Sequence, residues 1–394
     1  MAKDRLLVFT GMIILIIGVI YPQEKNIISG IWWTWVPLWF GWCVIISMSL
    51  MNKINVKISL TYILFIFIIC FIIFFSHEFH FDYEIDLVHF MDVFSVLLIT
   101  TITVFLLLSS VENDKFFRLV DQFSLALCFF LLLSRIVDND FSREGTFLGL
   151  GPLTFIKYIS IGLLSRLIYI QKMSLIPLIF YGFAFAMANS KGPTLFLILT
   201  YFLFLTQNTG SLSFKKLVMG IVMSFLILTN DRFLFLIDEI PILFDTFSTT
   251  TITDSSVANE EISGTLVRIF AISESLQILK ENPYFGIGPG RWPIVTQMPS
   301  IEYPHNSILE IWTEYGLLVF FMFFYLVWLV LKELQNKNIL AYFAIFSFMT
   351  TLTSGSARDL RFFIVFALLC LSYGLSQKLI LHHKLVNKKW STDL

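Results

Sequence analysis

Residues 303–331 read YPHNSILEIWTEYGLLVFFMFFYLVWLVL. From Ile308 onward this is an apolar run long enough to cross a bilayer. It is entered through Pro304, His305 and Asn306 and carries Glu310 and Glu314 close to its start. Histidine and carboxylates are costly in lipid, so their placement here asks for a chemical or a pairing role. Runs of the same kind recur along the whole chain. Its 394 residues are 57% hydrophobic and 17% aromatic, with 44 phenylalanines and a mean hydropathy of +0.81. No soluble globular domain carries so much apolar surface. The runs are continuous and lack the ten-residue alternation of a membrane barrel. The expected fold is therefore all-α and polytopic.

About twelve spans are expected, over residues 6–22, 28–50, 57–76, 87–110, 116–136, 152–170, 173–189, 193–208, 214–230, 308–331, 338–354 and 361–381. They divide the chain into a first set of nine spans (residues 1–230), a long loop (231–305), and three further spans with a tail (306–394). The first run follows Lys3 and Arg5 and has no small-residue cleavage site, so it reads as a retained span. Cys43, Cys70, Cys128 and Cys370 all fall inside apolar runs and read as small core residues. Net charge is −1, so the global balance says nothing about partners; no nucleic-acid partner is expected. Lys3, Arg5, Lys53, Lys57, Lys115, Arg118, Arg166, Lys172, Lys215, Lys216, Lys332, Lys337 and the tail lysines fall on one side of the membrane. The excess of cations makes that side cytoplasmic, with both termini inside.

The long loop then lies outside the cell. Its first part, STTTITDSSVANEEISG, is polar. Its middle places apolar Leu266, Ile269, Ile272, Leu276 and Leu279 at helical spacing, an expected amphipathic helix on the outer membrane surface or across the top of the bundle. Pro283 ends it, and GIGPG follows as a structured turn against the bundle. No strand precedes these glycines, so they are not a dinucleotide fingerprint.

The same orientation puts Arg143, Lys191, Arg268, Arg291, Arg358 and Arg361 outside with His305, next to glycine or proline turns. Cations placed against the insertion bias suggest an anionic ligand at the outer surface. A histidine at a helix N-terminus is held neutral by the helix dipole and can take a proton from a hydroxyl. An interfacial histidine bonded to water fits the residues as well, as does snorkelling for Arg268 and membrane-edge anchoring for Lys191. Asn306 stands at the expected helix start. Glu310 and Glu314 share a helix face, where they could pair with a cation such as Lys157 or Arg135, line an acceptor groove, or bond internally.

In order, the chain carries NSKGPTLFLIL, then R-x5-E-x8-P-x2-G-x-G-x-G from Arg268 to Gly290, then P-H-N-x2-L-x4-E-x-G from Pro304 to Gly316. This pattern, with REGTFLGLGPLTF upstream, resembles the O-antigen polymerase and ligase superfamily over roughly residues 140–331. The resemblance implies a GT-C-like membrane glycosyltransferase with a catalytic histidine at His305 and a pyrophosphate-binding arginine at Arg268. Lys191 stands where members usually have arginine, and Val319 where a glycine often stands. The implied reaction transfers a glycan from an undecaprenyl-pyrophosphate donor to a sugar hydroxyl on the periplasmic face of the bacterial inner membrane. It needs no metal, nucleotide or other cofactor. Glu314 is grouped with the catalytic residues, and Lys191, Arg143, Arg291, Asn306, Glu310 and Arg358 with substrate binding. The aromatic-rich, compact chain favours a polymerase that joins lipid-linked repeat units, with a chain-length regulator as a further partner. A ligase acting on lipid A-core is the near alternative. A twelve-span transporter or lipid-linked glycan flippase is the alternative of another class, but such folds show two related halves and midplane charges that are absent here.

Overall fold

The structure is a computed structural model, and it describes residues 2–17, 101–109, 111–138, 152–170, 174–188, 191–208, 264–288, 290–297, 304, 306–354 and 360–374. The expected spans at 28–50, 57–76 and 214–230, the polar first part of the loop, and His305, Arg143 and Arg358 lie outside the described residues. Every described regular element is helical: α1 (Ala2–Ile17), α2 (Thr101–Ser109), α3 (Asn113–Asp138), α4 (Pro152–Leu164) running into a π-helical turn (Ser165–Ile170), α5 (Leu175–Ala188), α6 (Lys191–Asn208), α7 (Gly264–Glu281), α8 (Trp292–Val295), α9 (Ser307–Gln335) and α10 (Ile339–Ser354). A last helix, α11 (Leu360–Gly374), follows.

Among the described residues, two helices, Asp114–Val137 and Ser307–Gln335, are long and apolar enough to cross a membrane. Helices α5, α6, α10 and α11 are apolar and shorter. Their positions match the spans expected at 116–136, 173–189, 193–208, 308–331, 338–354 and 361–381 within a few residues at most ends.

The core gathers α1 to α6 with α9, α10 and α11. Helix α3 packs against α1, α4, α5 and the π turn, while α10 packs against α4, α6 and α9. Aromatic side chains fill the contacts. Phe323, Phe348 and Phe363 form a triangle of rings with centroids 5.3 to 5.8 Å apart, in the range where edge and tilted pairs attract. Deeper along the bundle, Phe117 meets Phe343, and Phe343 meets Phe366.

One buried ion pair ties three elements. Arg166 donates through Nε and NH2 to both oxygens of Asp121, at 2.9 and 2.6 Å. Tyr181 donates its hydroxyl to the same carboxylate at 3.0 Å. Arg166 thus departs from its expected place among the solvated cytoplasmic charges. The π turn extends α4 through it, and the wider turn places the guanidinium in the interior beside α3 and α5.

Candidate active site

The centre of the site is a break in α9. The helix begins where expected: Asn306, in extended conformation, accepts from the backbone N–H of Ile308 and Leu309 and caps the end. Its amide also donates to the Leu352 carbonyl at 3.0 Å, and Ser307 donates to the Thr351 carbonyl, so the start of α9 is pinned to the end of α10. The helical path then stops at Gly316, with φ 82° and ψ 177°. The motif that was expected to open a membrane span instead builds a short helical segment, and the uninterrupted apolar run starts at Leu317. The helix from Leu317 to Gln335 is still about 28 Å long, of which the apolar part, Leu317 to Leu331, spans about 22 Å.

The break is filled by the glycine loop. In an unbroken helix Leu317 N–H would bond to the Thr313 carbonyl. Here Leu317 donates to the Tyr284 carbonyl at 2.9 Å, the Thr313 carbonyl accepts from Ile287 N–H at 2.7 Å, and the Glu314 carbonyl accepts from Gly288 N–H at 3.1 Å. The loop thus satisfies backbone groups that a broken apolar helix would leave exposed, an arrangement that buried backbone requires. Two glycines permit the approach. A Cβ on Gly286 would stand 2.7 Å from the Thr313 and Glu314 carbonyl oxygens, and one on Gly316 would stand 2.6 Å from the Tyr284 carbonyl oxygen. Both residues also have φ in the left-handed region.

Glu314 continues this seat. One carboxylate oxygen accepts from Gly290 N–H at 2.9 Å and the other faces Trp292 N–H at 3.4 Å. Glu314 thus bonds to the loop backbone. Arg291 lies between those two donors, so its backbone is fixed on both sides. Trp292 is fully buried and donates its indole N–H to Ser275 at 3.0 Å. Ala271, Ile278, Ile287 and Trp292 form a second small core, with Val267 and Phe270 against it.

Helix α7 is thereby fastened to α9 through the loop. Its existence and its end near Pro283 match expectation, but its faces do not. Ala271, Ser275 and Ile278 are buried, as is Leu279 of the expected stripe, whereas Ile272 and Leu276 of that stripe are exposed. Apolar residues run around much of the helix because Val267 and Phe270 serve the Trp292 cluster, so it is not amphipathic in the simple sense. Arg268 is exposed, about 10 Å along the axis from Ser275. Lys191 is the first residue of α6. Glu310 is buried in the first turn of α9.

Three cations that the sequence offered as partners or outer charges are buried in the structure. Arg135 near the end of α3, Lys157 near the start of α4 and Arg361 at the start of α11 are all buried, the last two at 3% and 1% exposure. The ring of Tyr158 packs edge-on against that of Phe362 at 4.8 Å, which brings the neighbours of Lys157 and Arg361 to the same end of the bundle as Asn306 and Ser307. Their signal in the sequence was the rarity of a cation inside an apolar run.

Among the described residues every regular element is helical, two helices are long and apolar enough to cross a membrane, and a glycine loop sits in a break of one of them. Residues 176–324 match the Wzy_C family model, described as O-antigen ligase. Over that segment the match supports the O-antigen polymerase and ligase superfamily. No curated protein matches the chain.

Proposed function

We propose that this chain polymerises undecaprenyl-pyrophosphate-linked oligosaccharide repeat units on the periplasmic face of the inner membrane. The observation that carries the reading is the seat of the loop in α9. It joins the helix bearing Arg268, the turn bearing Arg291 and the helix that follows His305 into one unit. A reaction whose leaving group is a diphosphate calls for cations held in place before the bond breaks, which a seat of this kind supplies for Arg291.

In this reading the acceptor sugar hydroxyl gives its proton to His305. Its oxygen attacks the anomeric carbon of the donor, and the bond from that carbon to the diphosphate oxygen breaks. Undecaprenyl diphosphate leaves with the electron pair, and one displacement inverts the anomeric configuration. Arg268, with Arg143, Lys191, Arg291 and Arg358, compensates the charge growing on the diphosphate. Lys191 supplies a point charge in place of an arginine fork. Glu314 acts by holding the loop, and Asn306 by setting the start of the helix.

Ligation of the finished glycan to lipid A-core is the second reading, favoured by the description of the family model. A strain lacking the gene separates the two: loss of a polymerase leaves core carrying one repeat, and loss of a ligase leaves core alone. Within the site, Arg268→Ala is expected to lower transfer about tenfold or more, and Arg268→Lys to lower it less. Equal activity of both variants and the native chain in a lipid-linked transfer assay contradicts the phosphate role.

A further inference from the structure

The loop carries a feature that the seat on α9 does not use. Tyr284 and Phe285 are 67% and 73% exposed, although the glycine at 286 and the carbonyl of Tyr284 itself are locked against α9. The lock fixes where these rings stand. The Tyr284 carbonyl bonds to Leu317 N–H, so the tip sits at the first residue of the uninterrupted apolar run. From there an outward stripe descends α9 through Leu318, Phe321, Tyr325 and Trp328, each about half exposed. These positions recur every three to four residues, the spacing of one helix face. On a helix long and apolar enough to span a membrane, such a face meets lipid. The two rings extend that face by one step beyond the helix. Two large adjoining aromatic side chains exposed on a rigid turn are costly in water, and tyrosine beside phenylalanine is the composition found at membrane interfaces.

We propose that Tyr284 and Phe285 form a membrane-seated tip, with the Phe285 ring in the acyl region of the bilayer and the Tyr284 hydroxyl at the headgroups. The occupant of this surface is the lipid bilayer itself. The tip then acts as a third fastening for the loop, beside the backbone seat and the Trp292–Ser275 bond, and sets the height of α7 and Arg268 above the apolar core. The inference rests on α9 spanning a membrane and not on the transfer reaction, so the two stand or fall separately.

The test uses the full chain, with its four cysteines replaced by alanine, in phosphatidylethanolamine and phosphatidylglycerol vesicles. Nitroxide labels are placed in turn at positions 285, 321 and 277, and collision with oxygen is compared with collision with a water-soluble nickel chelate. Oxygen is expected to dominate at 285 as at 321, whereas the chelate dominates at 277, on the exposed polar flank of α7. Chelate access at 285 equal to that at 277 overturns the proposal. If the cysteine-free chain does not assemble, benzoylphenylalanine at 285 in the otherwise native chain gives the same decision. Photo-crosslinking to phospholipid acyl chains supports the tip, and crosslinking to a second copy of the chain or to no lipid contradicts it.

Discussion

Gly316 and Gly286 decide whether the loop can reach the helix. Each has positive φ and would place a Cβ under 3 Å from facing backbone. A side chain there meets both backbone strain, about 1–3 kcal/mol, and a clash that neither main chain can relieve by rotating. Gly316→Ala and Gly286→Ala are each expected to lower the thermal midpoint of the purified protein in detergent. Gly182→Ala on α5, where nothing lies within 4 Å of the added carbon, is expected to leave it unchanged or raise it. Glu314 offers a finer test. Glutamine keeps one oxygen that can accept from Gly290, whereas alanine leaves both backbone donors without this acceptor. Limited proteolysis across residues 284–297 should therefore be faster in Glu314→Ala than in Glu314→Gln, and slowest in the native chain. The spacing of Pro283, Gly286, Gly288 and Gly290 and that of Glu314 and Gly316 stood in the sequence as two motifs. That they bind each other did not, because the contacts run through backbone groups that every residue possesses.

At the scale of elements, the helix positions were legible and several of their faces were not. Apolar runs give α3, α5, α6, α9, α10 and α11 their places, with α3 and α9 alone among them reaching membrane length. The packed face of α7 was partly hidden because two of its contacts with Trp292 are small, an alanine and a serine, beside Ile278. Arg166 was misplaced for a related reason. One arginine at the end of an apolar run reads as a loop charge until the π turn and Asp121 are seen together. That pair has its own prediction. Asp121→Asn leaves the guanidinium without its charge partner, at a cost of about 3–5 kcal/mol. Asp121→Leu with Arg166→Met removes both charges and is expected to cost less. Thermal unfolding of the three proteins checks the order. Equal loss in the single and double variants would mean that the pair holds α3, α4 and α5 by shape alone.

For the whole molecule, the chain is a helical bundle capped at one end by a loop folded back into a broken helix. Buried Lys157 and Arg361 and the capped start of α9 belong to that end. The account requires it to face away from the cytoplasm, as the loop lysines and arginines imply. A cysteine at position 305 should react with a membrane-impermeant thiol reagent in intact spheroplasts. Labelling only after lysis reverses the topology and with it the proposed reaction. The most direct measurement is the surface glycan of a strain whose only copy of the gene carries His305→Ala, with protein abundance in the membrane checked alongside. The account predicts normal abundance and glycan stopped at a single repeat, and a normal ladder of long chains would contradict it.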